Sequence, residues 1–506
     1  MSKLLTSAAG LVSAAAVGYW ATHNVLGPAV ATAAVGLFLH AKSSGGRPKA
    51  QFGETVRGTQ VDSKAKRKRP PDDQIGIGGI PIPRQSEPQH MLLVGSQGTG
   101  KSVICTAVMD TIRARGQRAV VYDGTGEFVE HYYRAGQDVI LSPIDARSAL
   151  WSPWAEGRDD FTYDSLATAL IPDSTGENQF WVLAARAIFQ AALASTTNLS
   201  DLHKLIFWED QEFLLAVLQA AGIVGLAGPE AMLASSRGTC ATYIKPLSYL
   251  PPPGNQPFSI RQWVRDESDS WLFILSREDA RMPIRPLMSL WIGVAIQAAM
   301  TLPPNRERRL WLILDELPYL QNLPALDVAL SGGRKYGLSA ILGTQSIAQM
   351  RKIYGHDASA AILSYPATRV TLKVGDHETA EFLSKSLGDR HTIRKVASES
   401  QNPGGGGQST SEQHAIEAAV LPSEIMGLPD MVGYLRISGD PVIKKIRLTR
   451  RERPALAEPY QDRPLSVPPP IPQGAPPASL AGLTRAAIPG LDAPGADLDG
   501  PDLPDL

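Results

Sequence analysis

The sequence is poor in cysteine and has no overall excess of charge of either sign. Only two cysteines occur in 506 residues, which excludes a scaffold held by disulfides and fits a reducing compartment. The 49 Lys and Arg residues balance 50 Asp and Glu to a net charge of −1, while 43% of the residues are hydrophobic. A disordered chain would have fewer apolar residues and less balanced charge. The length therefore predicts several folded units with sizeable cores.

The near-zero net charge hides an uneven distribution along the chain. Residues 1–69 carry a balance of +8, residues 70–454 carry −4, and residues 455–506 carry −5. This asymmetry indicates ends that meet partners, so the charge of the whole chain does not argue against a nucleic-acid partner. Residues 451–506 are rich in proline and acids, and we expect them to form a disordered tail.

Two runs without Asp, Glu, Lys or Arg lie near the N-terminus, over residues 4–22 and 25–41. Each approaches the roughly 20 residues that a helix needs to cross a bilayer. Basic residues flank the pair, which places both ends in the cytoplasm by the positive-inside rule. Residues 1–41 are therefore predicted to form a transmembrane hairpin of a multi-pass protein, and residues 42–89 a basic tether. A cleaved signal peptide or one buried helix are the alternatives.

A phosphate-binding loop follows the first predicted strand after the tether. The run GSQGTGKS lies between a strand-like segment and a helical one, and it fits the pattern GxxxxGK[ST]. Its Lys101 would bind the β and γ phosphates of a nucleotide, and the hydroxyl of Ser102 would bind Mg²⁺. ATP and Mg²⁺ are thus the predicted substrate and cofactor. The predicted nucleotide-binding residues are Gly95, Ser96, Gln97, Gly98, Thr99, Gly100, Lys101 and Ser102.

Polar residues end two later apolar strands. Asp315 and Glu316 follow the strand predicted at 309–314, and Gln345 follows the strand predicted at 338–343. Parallel strands deliver such residues to the edge that carries the phosphate loop. We predict that Asp315 binds Mg²⁺ through water, that Glu316 polarises the attacking water, and that Gln345 senses the γ-phosphate or orients the water. A helix N-cap is the alternative for the two acids taken alone.

A basic pair, Arg334 and Lys335, lies between these strands in the run GGRKYG. If subunits form a ring, Arg334 would be placed to act as an arginine finger on the γ-phosphate of a neighbour. A surface charge or a charge that faces DNA is the alternative.

The order of predicted elements indicates an α/β fold. Eight strands alternate with helices, which predicts a mainly parallel sheet covered on both faces, with its parts at 90–158 and 246–450. Between them, residues 159–245 show helical spacing and little strand signal, so we expect an all-α inserted domain. Residues 404–407 read as a polar loop.

Taken together, the motifs resemble the coupling proteins of conjugative type IV secretion systems, the TraD/TrwB class, and look most like its TrwB branch. The resemblance covers roughly residues 1–450. The motifs that carry it lie at 95–102, 122–128, 178–181, 314–316, 333–337 and 343–346.

This resemblance implies a RecA-like, DNA-dependent ATPase that forms a homo-hexamer on the bacterial inner membrane. It would link a relaxase and its plasmid DNA, single-stranded and bound without sequence preference, to inner-membrane components of the secretion channel. The resemblance also implies that Arg334 acts in trans and that Trp181 lies in the pore, where an aromatic ring would stack on a base. Two alternatives are a chromosome translocase of the FtsK or HerA kind and a membrane docking receptor that uses ATP as an assembly switch.

Overall fold

The computed structural model describes residues 54–63, 71, 73–173, 178–223, 230–402 and 405–464. The predicted transmembrane hairpin, residues 1–41, lies outside the described residues, as does part of the basic tether. Within those described ranges, no helix is both long enough and apolar enough to cross a membrane. The chain divides into a larger unit, residues 59–388 and 418–506, and a smaller unit, residues 1–58 and 389–417.

The strands of the larger unit are numbered with those of the smaller one in chain order. They are β1 Glu54–Gly58, β2 Gln60–Asp62, β3 Gly76–Ile77, β4 Ile80–Pro81, β5 Met91–Val94, β6 Arg118–Asp123, β7 Val139–Leu141, β8 Leu272–Leu275, β9 Leu310–Leu314, β10 Leu338–Thr344, β11 Thr368–Thr371, β12 Asp389–Asn402, β13 Gly405–Ala418, β14 Val432–Arg436 and β15 Val442–Arg447.

The α-helices fall into two groups, a helical stretch between β7 and β8 and the helices that connect the other strands. They are α1 Lys101–Ala114, α2 Glu127–Tyr132, α3 Asp160–Leu170, α4 Gln179–Ser195, α5 Leu199–Phe207, α6 Gln211–Ala220, α7 Glu230–Ile244, α8 Ile260–Arg265, α9 Arg281–Met300, α10 Pro324–Gly332, α11 Ile347–Tyr354, α12 His356–Ser364, α13 His377–Leu387 and α14 Pro422–Met426. Short 3-10 helices occupy Arg84–Gln89, Pro153–Ala155, Lys245–Tyr249, Leu317–Tyr319 and Gly333–Tyr336.

One large sheet organises the larger unit. Its strand order in the described residues is β2-β15-β14-β11-β5-β10-β9-β6-β8-β7. The seven strands from β11 to β7 pair in parallel, whereas β14 pairs antiparallel with both β11 and β15. Since parallel strands all end at the same edge, the loops that follow β5, β9, β10 and β6 converge there.

Apolar side chains leave the central strands toward two separate cores. Leu92 and Val94 belong to one apolar cluster, whereas Met91 and Leu93, one residue out of step, belong to the other. Alternate residues of a strand point to opposite faces, so both faces of the sheet are buried. Helices α3 to α7 and α9 contribute to the first cluster, and α1 and α2 to the second. The predicted α/β sheet with two covered faces is confirmed.

The smaller unit contains a three-stranded sheet in the order β1-β12-β13. Strand β1 pairs antiparallel with β12, from Glu54 opposite Arg394 to Gly58 opposite Arg390. The sequence interpretation missed this sheet. It placed residues 404–407 in a polar loop, whereas Gly405 already begins β13. Glycine and polar residues weaken the alternating pattern by which a strand is recognised, and this is why the hairpin was not predicted.

The chain directly after β15 differs from the disordered tail predicted over residues 451–506, of which residues 465–506 lie outside the described residues. Residues 449–463, which we call the C-terminal strap, pack against the larger unit. Leu456 N–H donates to the carbonyl of Glu130 at 2.7 Å, and the carbonyl of Gln461 accepts from Ala146 N–H at 2.7 Å. Backbone hydrogen bonds and the ion pairs of the strap order a segment whose composition alone predicts disorder.

Candidate nucleotide-binding and catalytic site

The candidate site lies at the carboxyl edge of the large sheet, where β5, β10 and β9 end side by side. The phosphate loop leaves β5, the Gln345 segment leaves β10, and the Asp315–Glu316 pair leaves β9. The loop is fastened to its neighbour, because Gly95 N–H donates to the carbonyl of Thr344 at 3.2 Å. Three segments far apart in sequence thus meet at one edge, as the parallel arrangement requires.

The phosphate loop wraps around the N-terminus of α1. Gly98 and Gly100 adopt φ values of +78° and +119°, which favour glycine. In the described part of the chain no side chain caps α1, so its first backbone N–H groups have no side-chain partner. The ammonium of Lys101 folds back over the loop and donates to the carbonyl of Gly95 at 2.7 Å. This cradle of uncapped N–H groups with a buried cation fits the phosphates of a nucleotide.

Asp315 is joined directly to α1. Its Oδ2 accepts from Ser102 Oγ at 2.9 Å, and its Oδ1 lies 3.4 Å from Cys105 Sγ, one turn further along the helix. Burial raises the pKa of Asp315, while the hydrogen bond from Ser102 opposes that shift. The close approach of β10 depends on Gly343, because a Cβ at this position would come within 1.8 Å of the Asp315 carbonyl oxygen.

Glu316 lies between Lys101 and Gln345. Its Oε2 is 3.6 Å from Lys101 Nζ and accepts from Gln345 Nε2 at 2.9 Å. Burial raises the pKa of Glu316, and the ammonium of Lys101 opposes the shift. The other oxygen, Oε1, is buried and has no hydrogen-bond partner in the described structure. A buried carboxylate oxygen without a donor is costly, so it marks a position where a further group is expected to bind.

Asp123 ends β6, the strand next to β9, and its side chain binds backbone N–H groups of the following turn. Its carboxylate accepts from the N–H groups of Thr125, Gly126 and Val129 at 3.1, 2.7 and 2.8 Å. It therefore stabilises the start of α2. Burial nevertheless raises the pKa of Asp123 to about 6. From the sequence, this aspartate was assigned no role beyond its place in the motif at 122–128.

A cleft of about 220 Å³ adjoins the outer face of α1, directly after the phosphate loop. Val103 and Ala107 of the helix form one wall, and the backbone of the Gly78–Gly79 turn forms another. The chain after β15 supplies the third wall, including Arg451. Sequence reasoning missed this cleft, since its walls come from three separate segments without a motif.

Arg334 lies outside this site. It is exposed in the 3-10 helix that precedes β10, at the amino edge of the sheet, whereas the phosphate loop lies at the carboxyl edge. Strand β10 has seven residues, so it separates the two edges by roughly 20 Å. The structure therefore brings Lys101, Ser102, Asp315, Glu316 and Gln345 together and leaves Arg334 apart.

Trp181, the predicted pore residue, lies in the first turn of α4 within the helical stretch between β7 and β8. It is partly buried, and its ring lies edge-on to that of Phe180, with 5.2 Å between the ring centroids.

Comparisons with known proteins agree with these features. The model of the type IV secretion-system coupling protein DNA-binding domain matches residues 74–449. Coupling protein TraD of Escherichia coli K12 is 34% identical over 408 residues, which are 78% of this chain and 57% of TraD. The chain thus spans less than two thirds of that relative's length.

Two solved structures of plasmid coupling protein TrwB are also similar. The complex of TrwB with ADP and Mg²⁺ has 29% sequence identity and a TM-score of 0.72, and covers 83% of this chain and 99% of that one. The complex with the non-hydrolysable ATP analogue ADPNP has 30% identity and a TM-score of 0.71, with the same coverage. This likeness, together with the parallel sheet, confirms the predicted RecA-like α/β class.

Proposed function

Because the chain belongs to the family of type IV secretion-system coupling proteins, we propose that it is an ATP-hydrolysing motor that moves DNA toward a secretion channel during conjugation. The expected membership of this family is confirmed by the family model, which spans most of the chain. The single observation that carries the proposed activity is the partly buried cluster of Lys101, Ser102, Asp315, Glu316 and Gln345 at one sheet edge.

In this proposal ATP lies with its phosphates in the loop and its nucleoside in the adjoining cleft. TrwB, a relative with the same fold, has been solved with ADP and Mg²⁺ and with ADPNP. Lys101 exchanges its hydrogen bond with the Gly95 carbonyl for the β and γ phosphates. The cleft beside α1 is lined by the Gly78–Gly79 turn, by apolar side chains of α1 and by arginines that include Arg451, so it suits a base against the apolar wall and a ribose near the arginines.

The neighbours of each catalytic group would determine its role in hydrolysis. When bound, Mg²⁺ would supply positive charge beside the transferred phosphoryl group, held by Ser102 and, through water, by Asp315. Glu316 offers its unpartnered Oε1 to the attacking water. The raised pKa of Glu316 makes its carboxylate a stronger base, and Lys101 keeps it ionised. Gln345 donates a hydrogen bond to the other oxygen of Glu316 and holds that side chain in place. In this proposal it also senses the γ-phosphate or orients the attacking water.

Arg334 would complete the site of a neighbouring subunit. It lies at the edge of the sheet opposite its own phosphate loop, so an arginine finger at this position has to act in trans. In a closed ring, which we propose to be a homo-hexamer, each nucleotide site receives one Arg334 from a neighbouring subunit. An arginine finger contributes about 10³ to 10⁵ in rate in other nucleotide hydrolases.

The remaining parts of the proposal concern cargo and location. The helical stretch at 159–245, with Trp181, would face the DNA as an inserted domain. The hairpin at 1–41 would anchor the motor in the inner membrane, with residues 90–158 and 246–450 as its nucleotide-binding domain. A relaxase with its bound strand and the inner-membrane components of the channel are the proposed partners. DNA affinity should fall steeply with salt and depend little on sequence.

The test is ATP turnover of the full chain with and without single-stranded DNA. We expect the DNA to stimulate turnover, and Lys101→Ala to abolish it. Lys385, an exposed basic residue that pairs with Glu381 of its own helix, provides the matched control as Lys385→Ala, which should retain full turnover. Turnover that is the same with and without DNA would favour a docking receptor over a motor. A fully active Lys101→Ala variant would contradict the assignment of the nucleotide site.

A further inference from the structure

His90 immediately precedes β5, the strand that leads into the phosphate loop. The residue is 2% exposed, and its φ of +61° is uncommon for any residue other than glycine. Burial of an imidazole in this backbone conformation costs free energy unless its ring nitrogens form hydrogen bonds.

Both ring nitrogens of His90 bind backbone groups of another segment. Nδ1 accepts from the N–H of Ala340 at 3.1 Å, and Nε2 lies 3.1 Å from the carbonyl oxygen of Leu330. Since Nδ1 accepts, the proton must be on Nε2, which donates to Leu330. Burial lowers the pKa of His90 to about 4, so the ring is neutral at ordinary pH and keeps the lone pair that Ala340 requires.

The two partners of His90 flank the segment that carries Arg334. Leu330 lies near the end of α10, and Ala340 lies in β10, so the imidazole closes the base of a loop spanning 331–339. Other described contacts fix the far side of the loop. Asn305 N–H donates to the carbonyl of Lys335 at 2.9 Å, and the guanidinium of Arg308 lies 3.4 Å from the carbonyl of Tyr336.

The loop is therefore held at its base by one side chain and at its tip by a neighbouring turn, while the guanidinium of Arg334 is exposed. Removal of the imidazole would take away the hydrogen-bond acceptor of the Ala340 N–H and the donor that the His90 ring supplies to the Leu330 carbonyl, and we expect the loop to move in response. A misplacement of about 1 Å can cost about a hundredfold in rate.

We propose that His90 is a positioning residue for Arg334, which sets the geometry of the loop that completes a neighbouring subunit's nucleotide site. The inference rests on the proposed trans role of Arg334. It assigns to His90 no contact with the nucleotide of either subunit.

The test compares two substitutions of the full chain in ATP turnover, nucleotide affinity and hydrogen exchange. His90→Phe keeps a planar ring but removes both hydrogen bonds. His90→Asn keeps an acceptor near the Nδ1 position and tolerates positive φ. For His90→Phe we expect kcat to fall about 10- to 100-fold, nucleotide affinity to change less than about twofold, and the amides of 331–340 to exchange faster. His90→Asn should show a smaller loss, which keeps the test valid if His90→Phe does not fold.

Mixed rings separate positioning from simple loss of stability. A His90→Phe subunit has an intact nucleotide site and a displaced finger, whereas a Lys101→Ala subunit has the reverse, so mixing the two should restore part of the turnover. The destabilised control is Ile112→Ala, a core substitution in the apolar cluster that contains Met91 and Leu93. Mixing should not raise the turnover of this variant per folded subunit.

Three results would overturn the inference. They are a folded His90→Phe variant with normal kcat, unchanged exchange of 331–340, or no recovery in mixed rings under conditions where Arg334→Ala recovers. Arg334→Ala is measured in parallel because full turnover of that variant would contradict the trans finger itself. Loss of turnover in Arg334→Ala together with normal turnover in His90→Phe would contradict only the role of His90.

Discussion

Asp315 and Glu316 are adjacent acids with different surroundings. Both oxygens of Asp315 are occupied by groups of α1, Ser102 and Cys105, whereas Glu316 has one buried oxygen without a partner. Adjacent side chains leave the backbone on different sides, so Asp315 faces α1 and Glu316 faces Lys101 and Gln345. This difference supports the proposed metal-side role of Asp315 and the proposed water-side role of Glu316.

The first prediction is that Glu316→Gln lowers kcat by about 10² to 10⁴, as expected for loss of a general base. Nucleotide affinity should change only a few-fold, because Lys101 and the loop remain. Turnover and nucleotide binding, measured separately, check this. Glu307→Gln, at an exposed acid, is the control, and normal turnover in Glu316→Gln would reject the assignment.

The second prediction uses the buried carboxylate of Asp123. Its pKa of about 6 in the folded chain lies above its ordinary value, 3.8, so the folded state binds the proton more tightly. The resulting stabilisation is complete below pH 3.8 and is lost as the pH rises through 6. The difference in unfolding free energy between wild type and Asp123→Asn should therefore shift in favour of wild type by about 1 to 3 kcal/mol from pH 7 to pH 4. Urea midpoints across this range measure it, and a flat difference would contradict the shifted pKa.

At the scale of elements, the C-terminal strap ties several helices and loops together. Arg453 donates to both oxygens of Asp110 on α1, at 2.9 and 2.7 Å, and Tyr132 of α2 donates to the same carboxylate at 2.6 Å. Further along, Tyr460 donates to the Ser276 carbonyl at 3.1 Å. The strap thus fastens the helix of the phosphate loop to its neighbour, and we expect it to contribute to the rigidity of the site.

The third prediction tests the strap. Arg453→Ala should lower the free energy of unfolding by about 1 to 2 kcal/mol, because Asp110 loses a charged, two-point partner that is only partly exposed. Arg451→Ala, at an exposed position two residues earlier, should stay within about 0.5 kcal/mol of wild type. Urea unfolding compares the two, and equal effects would mean that the Asp110 pair adds nothing specific.

At the scale of the whole molecule, the large sheet separates two halves of the proposed catalytic machinery. The phosphate loop and its acids lie at the carboxyl edge, and the Arg334 loop lies at the amino edge. Side-chain movement alone cannot bring Arg334 to the phosphate loop of its own subunit, because the paired strands of the sheet hold the two edges apart. Hydrolysis should therefore depend on assembly, with turnover per subunit rising with protein concentration.

The fourth prediction concerns DNA at this scale. If Trp181 stacks on bases in a pore, Trp181→Ala should weaken single-stranded DNA binding by about 1 to 3 kcal/mol, equally for different sequences. Turnover without DNA should be unchanged. Trp208→Ala, at a tryptophan that is 43% exposed in the same helical stretch, is the matched control. Equal DNA affinity of Trp181→Ala and wild type, measured at fixed salt, would exclude Trp181 from the DNA path.

Local sequence determined those features whose physical cause is local. The glycines and lysine of the phosphate loop and the apolar strands with polar ends each follow from a short run of residues, so the strands predicted at 309–314 and 338–343 agree closely with Leu310–Leu314 and Leu338–Thr344. The hairpin β12–β13 was missed because its strands depend on pairing with each other and with β1, which a polar, glycine-containing run does not reveal.

Only the tertiary structure decided which of these residues act together. The order β5-β10-β9 puts Gln345 between the loop and the acids, although it is the last of the three in sequence. The hydrogen bond between His90 and Leu330 joins segments more than 100 residues apart, and Arg453 joins the strap to Asp110 on a distant helix. Burial of the unpartnered oxygen of Glu316 likewise results only from folding. Sequence carries the chemistry of each side chain, whereas its burial, its pKa and its partners are set by residues that only folding brings near.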